Sequence, residues 1–108
     1  MSEDLASRKC VPCHGGVPRL TGKEIAPLLA QLAGWEVFGG HHLSKEYKFT
    51  NFADALAFVN RVGEVAEVEG HHPDIEFGWG YARVKIYTHA IDGLSESDFI
   101  LAARIDAG

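Results

Sequence analysis

The sequence from His71 to Thr88 is HHPDIEFGWGYARVKIYT. Two runs within it alternate apolar with polar residues, on either side of Gly80. This alternation is typical of strands that bury one face, and a glycine between two such runs favours a turn. The stretch therefore predicts a β-hairpin. Its alternating positions are Ile75, Phe77 and Trp79 in the first strand, then Ala82, Val84, Ile86 and Thr88 in the second.

A second hairpin is predicted earlier in the chain. The segments Trp35–Phe38 and Leu43–Phe49 alternate in the same way. Between them lies Gly39-Gly40, which supplies the positive φ that a tight connection favours. The two hairpins together give four strands.

Three helices are predicted around these hairpins. Each follows a side chain that can cap a helix N-terminus, and the first two carry apolar residues at helical spacing. The predicted caps are Thr21, Asn51 and Ser95, with capping-box patterns at Thr21–Glu24 and Ser95–Asp98. The first helix should continue up to Gly34 and the second should end near Glu69–Gly70.

The predicted order of elements is α-β-β-α-β-β-α. It favours an α+β fold, a single-domain two-layer sandwich in which three helices cover one face of a four-stranded antiparallel sheet. Residues 1–20 contain two glycines and two prolines without a sustained period, so we expect an irregular N-terminal arm. The folded domain should occupy residues 21–108.

Composition excludes several classes of function. The chain has 108 residues and a formal net charge of -5, and it has no basic run, so direct binding to nucleic acid is not expected. No apolar stretch reaches the length of about 18 residues that a membrane span needs. The N-terminus also lacks the apolar segment of a secretory signal, so we expect a cytoplasmic protein.

The histidines form the best candidate for a reactive site. His71 and His72 lie between the second helix and the third strand, and His89 lies at the end of the fourth strand. In an antiparallel hairpin the start of one strand lies beside the end of the other, so the three rings should converge. Glu67 and Glu69, on the last turn of the second helix, should point toward the same edge.

Imidazole titrates near pH 6.5, so a cluster of this kind can hold one ring as proton donor and another as acceptor at neutral pH. The alternative is that a histidine doublet in a loop is simply solvated, and the spacing alone does not decide between the two.

The spacing of these residues resembles the signature of the pterin-4a-carbinolamine dehydratases. The matching segments also include Leu-x-Gly-Trp up to Trp35, the Phe49-x-x-Phe52 entry to the second helix, and Gly-Leu-Ser-x-x-Asp from Gly93 to Asp98. The resemblance covers about residues 21–105. The core pattern is Glu67-x-x-x-His71-His72-Pro73, five residues, Trp79, nine residues, His89, eight residues and Asp98.

The resemblance implies a hydro-lyase that dehydrates 4a-hydroxytetrahydropterin to the quinonoid dihydropterin and supports tetrahydropterin recycling, without a cofactor or metal. It implies three catalytic histidines: His71 and His89 as acid and base, and His72 as a group that orients the substrate or supports the developing charge. It further implies a pterin substrate and association into a homodimer or homotetramer. The substrate-binding candidates are Glu67, Pro73 and Trp35. Trp35 and Trp79 could equally be core residues, and Asp98 could simply cap the last helix.

Other interpretations remain open. Cys10-Val-Pro-Cys13-His14 has the form of a haem-attachment motif, or of half a zinc site whose second ligand pair is absent. A metalloenzyme could use the three histidines with Glu67, although adjacent histidines on extended backbone point in opposite directions. A non-catalytic binding module on the same fold is the third possibility. His41-His42, on the first hairpin, have no assigned role.

Overall fold

The computed structural model describes Leu5 and residues 18–107. Its helices are α1 (Gly22–Leu29), α2 (Phe52–Glu69) and α3 (Glu96–Ala107). Its strands are β1 (Glu36–Phe38), β2 (His42–Lys48), β3 (Asp74–Gly78) and β4 (Tyr81–Ile86), and a 3₁₀ turn, His89–Ile91, follows β4. The predicted order of elements is confirmed. The predicted arm of residues 1–20 lies mostly outside the described part of the chain.

The four strands form one antiparallel sheet in the order β1-β2-β4-β3. Both predicted hairpins are present, and β2 pairs with β4 to join them. Asp74, the first residue of β3, lies opposite Lys85 near the end of β4. This pairing brings the segment after α2 to the same end of the sheet as the segment after β4.

The core lies between one face of the sheet and the helices. Alternate residues of β4, namely Ala82, Val84 and Ile86, are fully buried, as the period-two pattern requires. Helix α3 supplies much of the rest, including Phe99, Leu101 and Ile105. The predicted α+β arrangement is therefore confirmed. None of the helices in the described residues is both long enough and apolar enough to cross a bilayer.

Two predicted boundaries are wrong by a few residues. Helix α1 ends at Leu29. Backbone hydrogen bonds between residues three positions apart, of the 3₁₀ type, follow it before Gly34, which has a left-handed conformation. Strand β4 ends at Ile86 instead of Thr88. The pairing of β4 with β2 ends at this point, because Ile86 pairs with Leu43, the second residue of β2.

Trp79 also differs from its expected place. It lies in the turn between β3 and β4, and 71% of its surface is exposed. In the sequence, the apolar alternation of β3 extends to Trp79. In the structure, the strand ends at Gly78 and Trp79 lies in the turn. The interpretation of Trp79 as a core residue is therefore wrong.

Gly70 links α2 to the histidine doublet with a left-handed conformation, φ 65°. We expect Gly70→Ala to destabilise the protein by about 1–2 kcal/mol, since a side chain disfavours this region. Gly63 is the matched control, because it lies inside α2 and a methyl group there would meet no atom within 4 Å. Gly63→Ala should stabilise by about 0.5–1 kcal/mol. Urea unfolding measures both, and equal effects of the same sign would contradict this account.

Candidate active site

His71 is placed by the end of helix α2. Its backbone N–H donates to the carbonyl of Ala66, and Gly70 turns the chain so that the ring points back toward α3. There His71 Nε2 lies 2.5 Å from Oδ1 of Asp98. The ring is 13% exposed and the carboxylate is fully buried. A carboxylate at Nε2 fixes the orientation of the ring and makes Nδ1 the nitrogen that can exchange a proton with a bound molecule.

Asp98 joins this histidine to the other end of the site. Its Oδ2 accepts hydrogen bonds from the backbone N–H of Ser95, at 2.7 Å, and from the hydroxyl of Thr88, at 2.9 Å. The first of these bonds is the predicted helix cap. The sequence did not indicate that the same carboxylate also bonds to His71 and to the residue before His89. Asp98 therefore couples the two segments that carry the candidate acid and base.

His72 lies beside its own carboxylate on the surface. Its Nε2 is 2.5 Å from Oε2 of Glu67, which lies on the last turn of α2. Both side chains are well exposed, at 61% and 77%. Pro73 follows and is half-buried at the entry to β3. Glu67 therefore lies beside an imidazole, and this contact leaves His72 accessible to a ligand.

His89 begins the 3₁₀ turn beyond β4 and is more exposed than His71. Its Nε2 is 3.9 Å from Oδ2 of Asp74, the first residue of β3. This distance fits a loose ion pair and is too long for a hydrogen bond. Asp74 was missed at the level of sequence, although it follows Pro73 directly and the hairpin register places it beside the end of β4. Each of the three histidines thus faces a separate carboxylate.

This arrangement differs from a metal centre. Within residues 18–107, no three His, Cys, Asp or Glu side chains are grouped closely enough to hold a metal ion. Cys10, Cys13 and His14 lie outside the described residues. Glu69, expected at the same edge as Glu67, instead forms an ion pair with Arg104 of α3 at 3.3 Å.

Trp35 lies in the core, with 5% of its surface exposed. Its indole N–H donates to Asp106 at 2.8 Å, and its ring meets Tyr47 edge-on. The Tyr47 hydroxyl also donates to Asp106, and burial together with that carboxylate raises the pKa of Tyr47. These contacts, made with β2 and the end of α3, support the core interpretation of Trp35 over a role as a pocket wall.

The chain is similar in sequence to proteins from several bacteria. The family model described as "Pterin 4 alpha carbinolamine dehydratase" matches residues 18–108. A protein from Rubrobacter xylanophilus with the name "Putative pterin-4-alpha-carbinolamine dehydratase" is 59% identical over 106 residues, which cover 98% of each chain. One of the same name from Alkaliphilus metalliredigens is 49% identical over 95% of this chain and 94% of that protein.

Solved structures show the same relationship in three dimensions. A transcriptional coactivator/pterin dehydratase from Brucella melitensis superimposes with a TM-score of 0.77 at 31% identity, covering 83% of this chain and 97% of that one. A pterin dehydratase-like protein, a RuBisCO assembly factor in the alpha-carboxysome, matches with a TM-score of 0.59 at 28% identity, covering 69% and 88%. The chain therefore belongs to the pterin-4a-carbinolamine dehydratase family, whose members are hydro-lyases.

Proposed function

We propose that this chain dehydrates 4a-hydroxytetrahydropterin to the quinonoid dihydropterin by acid and base catalysis at His71 and His89. One observation carries the proposal: two imidazoles, each facing its own carboxylate, lie on segments that the buried Asp98 ties together. A pair of positioned proton-transfer groups is what loss of water from this substrate requires.

The reaction breaks one C–O bond and moves two protons. The hydroxyl on C4a leaves as water after it gains a proton, and N5 loses its proton as the C4a–N5 double bond forms. His71 suits the role of base at N5. A carboxylate on the far nitrogen of an imidazole stabilises the positive charge that appears when the ring accepts a proton. His89, which lies at the surface, then supplies the proton to the departing hydroxyl.

The neighbouring residues would hold the substrate. His72 is accessible, and Glu67 fixes its ring, so this pair can orient the pterin through hydrogen bonds. Pro73 restricts the backbone between the doublet and β3, because its ring locks φ. We further propose that the chain works in the cytoplasm as a homodimer or homotetramer and supports recycling of the tetrahydropterin.

The direct test is the dehydration assay on enzymatically generated 4a-hydroxytetrahydropterin. The formation of quinonoid dihydropterin is followed against the uncatalysed reaction in the same buffer. We expect saturable catalysis that is proportional to the protein concentration. A rate equal to the uncatalysed one, from folded protein that still binds the pterin, would favour the binding-module interpretation instead.

Activity should survive exhaustive chelation, because the proposed proton transfers use imidazoles alone. The measurement is kcat before and after dialysis against a strong chelator, with elemental analysis of both samples. One tightly bound ion per chain, whose removal abolishes activity and whose return restores it, would favour the metalloenzyme hypothesis.

A further inference from the structure

The turn between β1 and β2 reaches across the sheet to the turn that carries His89. His41 Nε2 lies 2.7 Å from Oδ1 of Asp92, although the two residues are 51 positions apart in the sequence. Asp92 closes the His89 turn: it adopts a left-handed conformation, φ 49°, and its N–H donates to the carbonyl of His89. It is the one non-glycine residue with positive φ in the described chain.

Tyr87 adds a second contact between the same two segments. Its ring lies against the His41 ring, at 4.5 Å between centroids, and against the His89 ring, at 4.2 Å. His41 therefore touches the His89 segment at two points, one before His89 and one after it. Both contacts therefore restrain the backbone between Tyr87 and Asp92, which contains His89.

His89 requires such support because the sheet has ended before it. On the inner side, Thr88 is held by its bridge to Gly93 and by its hydrogen bond to Asp98. On the outer side, the ring of His89 is mostly exposed, and its ion pair with Asp74 is long. Arg19 Nε donates to the carbonyl of Ile91 at 2.7 Å at the end of the same turn, and His41 adds contacts on both sides of His89.

We propose that His41 and Asp92 are positioning residues that hold the His89 turn in the geometry needed for dehydration. The inference rests on the proposed function. It assigns a role to a doublet that the family signature does not include, and neither residue needs to touch the substrate.

The surroundings of the pair agree with this role. The hydrogen bond and charge of His41 lower the pKa of Asp92, as expected for an ionised acceptor. His42 Nδ1 lies 3.0 Å from His41 Nδ1. Burial, the nearby Lys85 ammonium and His41 lower the pKa of His42, which favours a neutral ring that can bond to its neighbour. Stacking of His42 on Phe38 completes the support.

Three variants separate positioning from other effects. His41→Ala removes the donor, and Asp92→Gly removes the acceptor but keeps a residue that favours positive φ. Asp92→Asn keeps both the acceptor oxygen and a tolerance for the left-handed region. Lys48→Ala is the control, because it breaks another exposed ion pair on β2, that of Lys48 with Glu46. For each variant kcat and KM are measured, together with the NMR resonances of the His89 ring in the substrate-free protein.

We expect kcat to fall by about three- to tenfold in His41→Ala and in Asp92→Gly, with KM within about twofold of wild type. The double variant His41→Ala/Asp92→Gly should be no worse than the worse of its two single variants. The His89 resonances should shift in both single variants and in the double variant. Asp92→Asn and Lys48→Ala should stay within about twofold of wild type.

Unchanged kcat in both His41→Ala and Asp92→Gly would overturn the proposal. An equal loss in Asp92→Asn and Asp92→Gly would overturn it too, because charge would then matter instead of position. If the wild-type protein shows no dehydration at all, the proposed function fails first. The NMR shifts would then still decide whether His41 holds the His89 turn.

Discussion

Replacing either His71 or His89 with alanine is expected to lower kcat by about 10²- to 10⁴-fold, the range typical of a lost general acid or base. His71 faces a buried carboxylate at 2.5 Å, and His89 lies at the opposite end of the Asp98 connection. Loss of either ring removes one of the two proton transfers. The double variant should be scarcely worse than the worse single one, because groups that act as a unit are not additive.

The controls for these variants follow from exposure. The His89 ring is 60% exposed and the His71 ring 13%, so added imidazole should restore part of the activity in His89→Ala and much less in His71→Ala.

His72→Ala should raise KM more than it lowers kcat, since His72 is proposed to orient the substrate. The uncatalysed reaction is subtracted throughout. Wild-type kcat in both single variants, on folded protein, would remove the histidines from the chemistry.

Loss of the buried Asp98 carboxylate should strongly reduce stability. Asp98→Ala leaves the Ser95 N–H, the Thr88 hydroxyl and the His71 ring without their buried acceptor, so we expect a loss of about 3–5 kcal/mol in the free energy of unfolding. Asp98→Asn should fold better, because one amide oxygen can still accept at the helix cap. Its NH₂ group, however, would face His71 and favour the opposite tautomer, so kcat should fall by about 10²-fold or more.

Asn51→Ala is the matched control for these variants. It removes the N-cap of α2, where the Asn51 side chain accepts from the N–H of Asp54 at 2.7 Å, and should cost about 1 kcal/mol. We expect its kcat to be unchanged. Chemical denaturation gives the stabilities and the dehydration assay gives the rates. Wild-type activity in folded Asp98→Asn would show that Asp98 is only a cap.

Most of the fold could be predicted because its signals are local. Alternation on either side of Gly80 predicted the β3–β4 hairpin, and Asn51 predicted the start of α2. The errors occur where a neighbouring element decides the outcome. Strand β4 ends at Ile86 because its pairing with β2 ends there. Trp79 is exposed because the chain turns at that residue. The alternation of apolar residues indicates neither.

The candidate site shows the same division. The convergence of the segments carrying the histidine doublet and His89 followed from antiparallel pairing, and the place of Glu67 on the last turn of α2 brought it close to the doublet. The capping pattern accounted for one oxygen of Asp98, whereas the direction of the other depends on how α3 docks against α2. The pairing of His41 with Asp92 could not be anticipated either, since it joins two separate hairpin ends and follows no short-range spacing.

The double use of Asp98 also has a consequence for the order of events during folding. One oxygen starts the last helix and the other holds His71, so any partly folded species in which α3 has not docked lacks the partner of His71. Helix α3 carries the fully buried Phe99, Leu101 and Ile105, and its docking also completes the core. Recovery of enzymatic turnover after dilution from denaturant would then report the docking of the C-terminal helix, because any species in which α3 has not docked would be inactive in that assay.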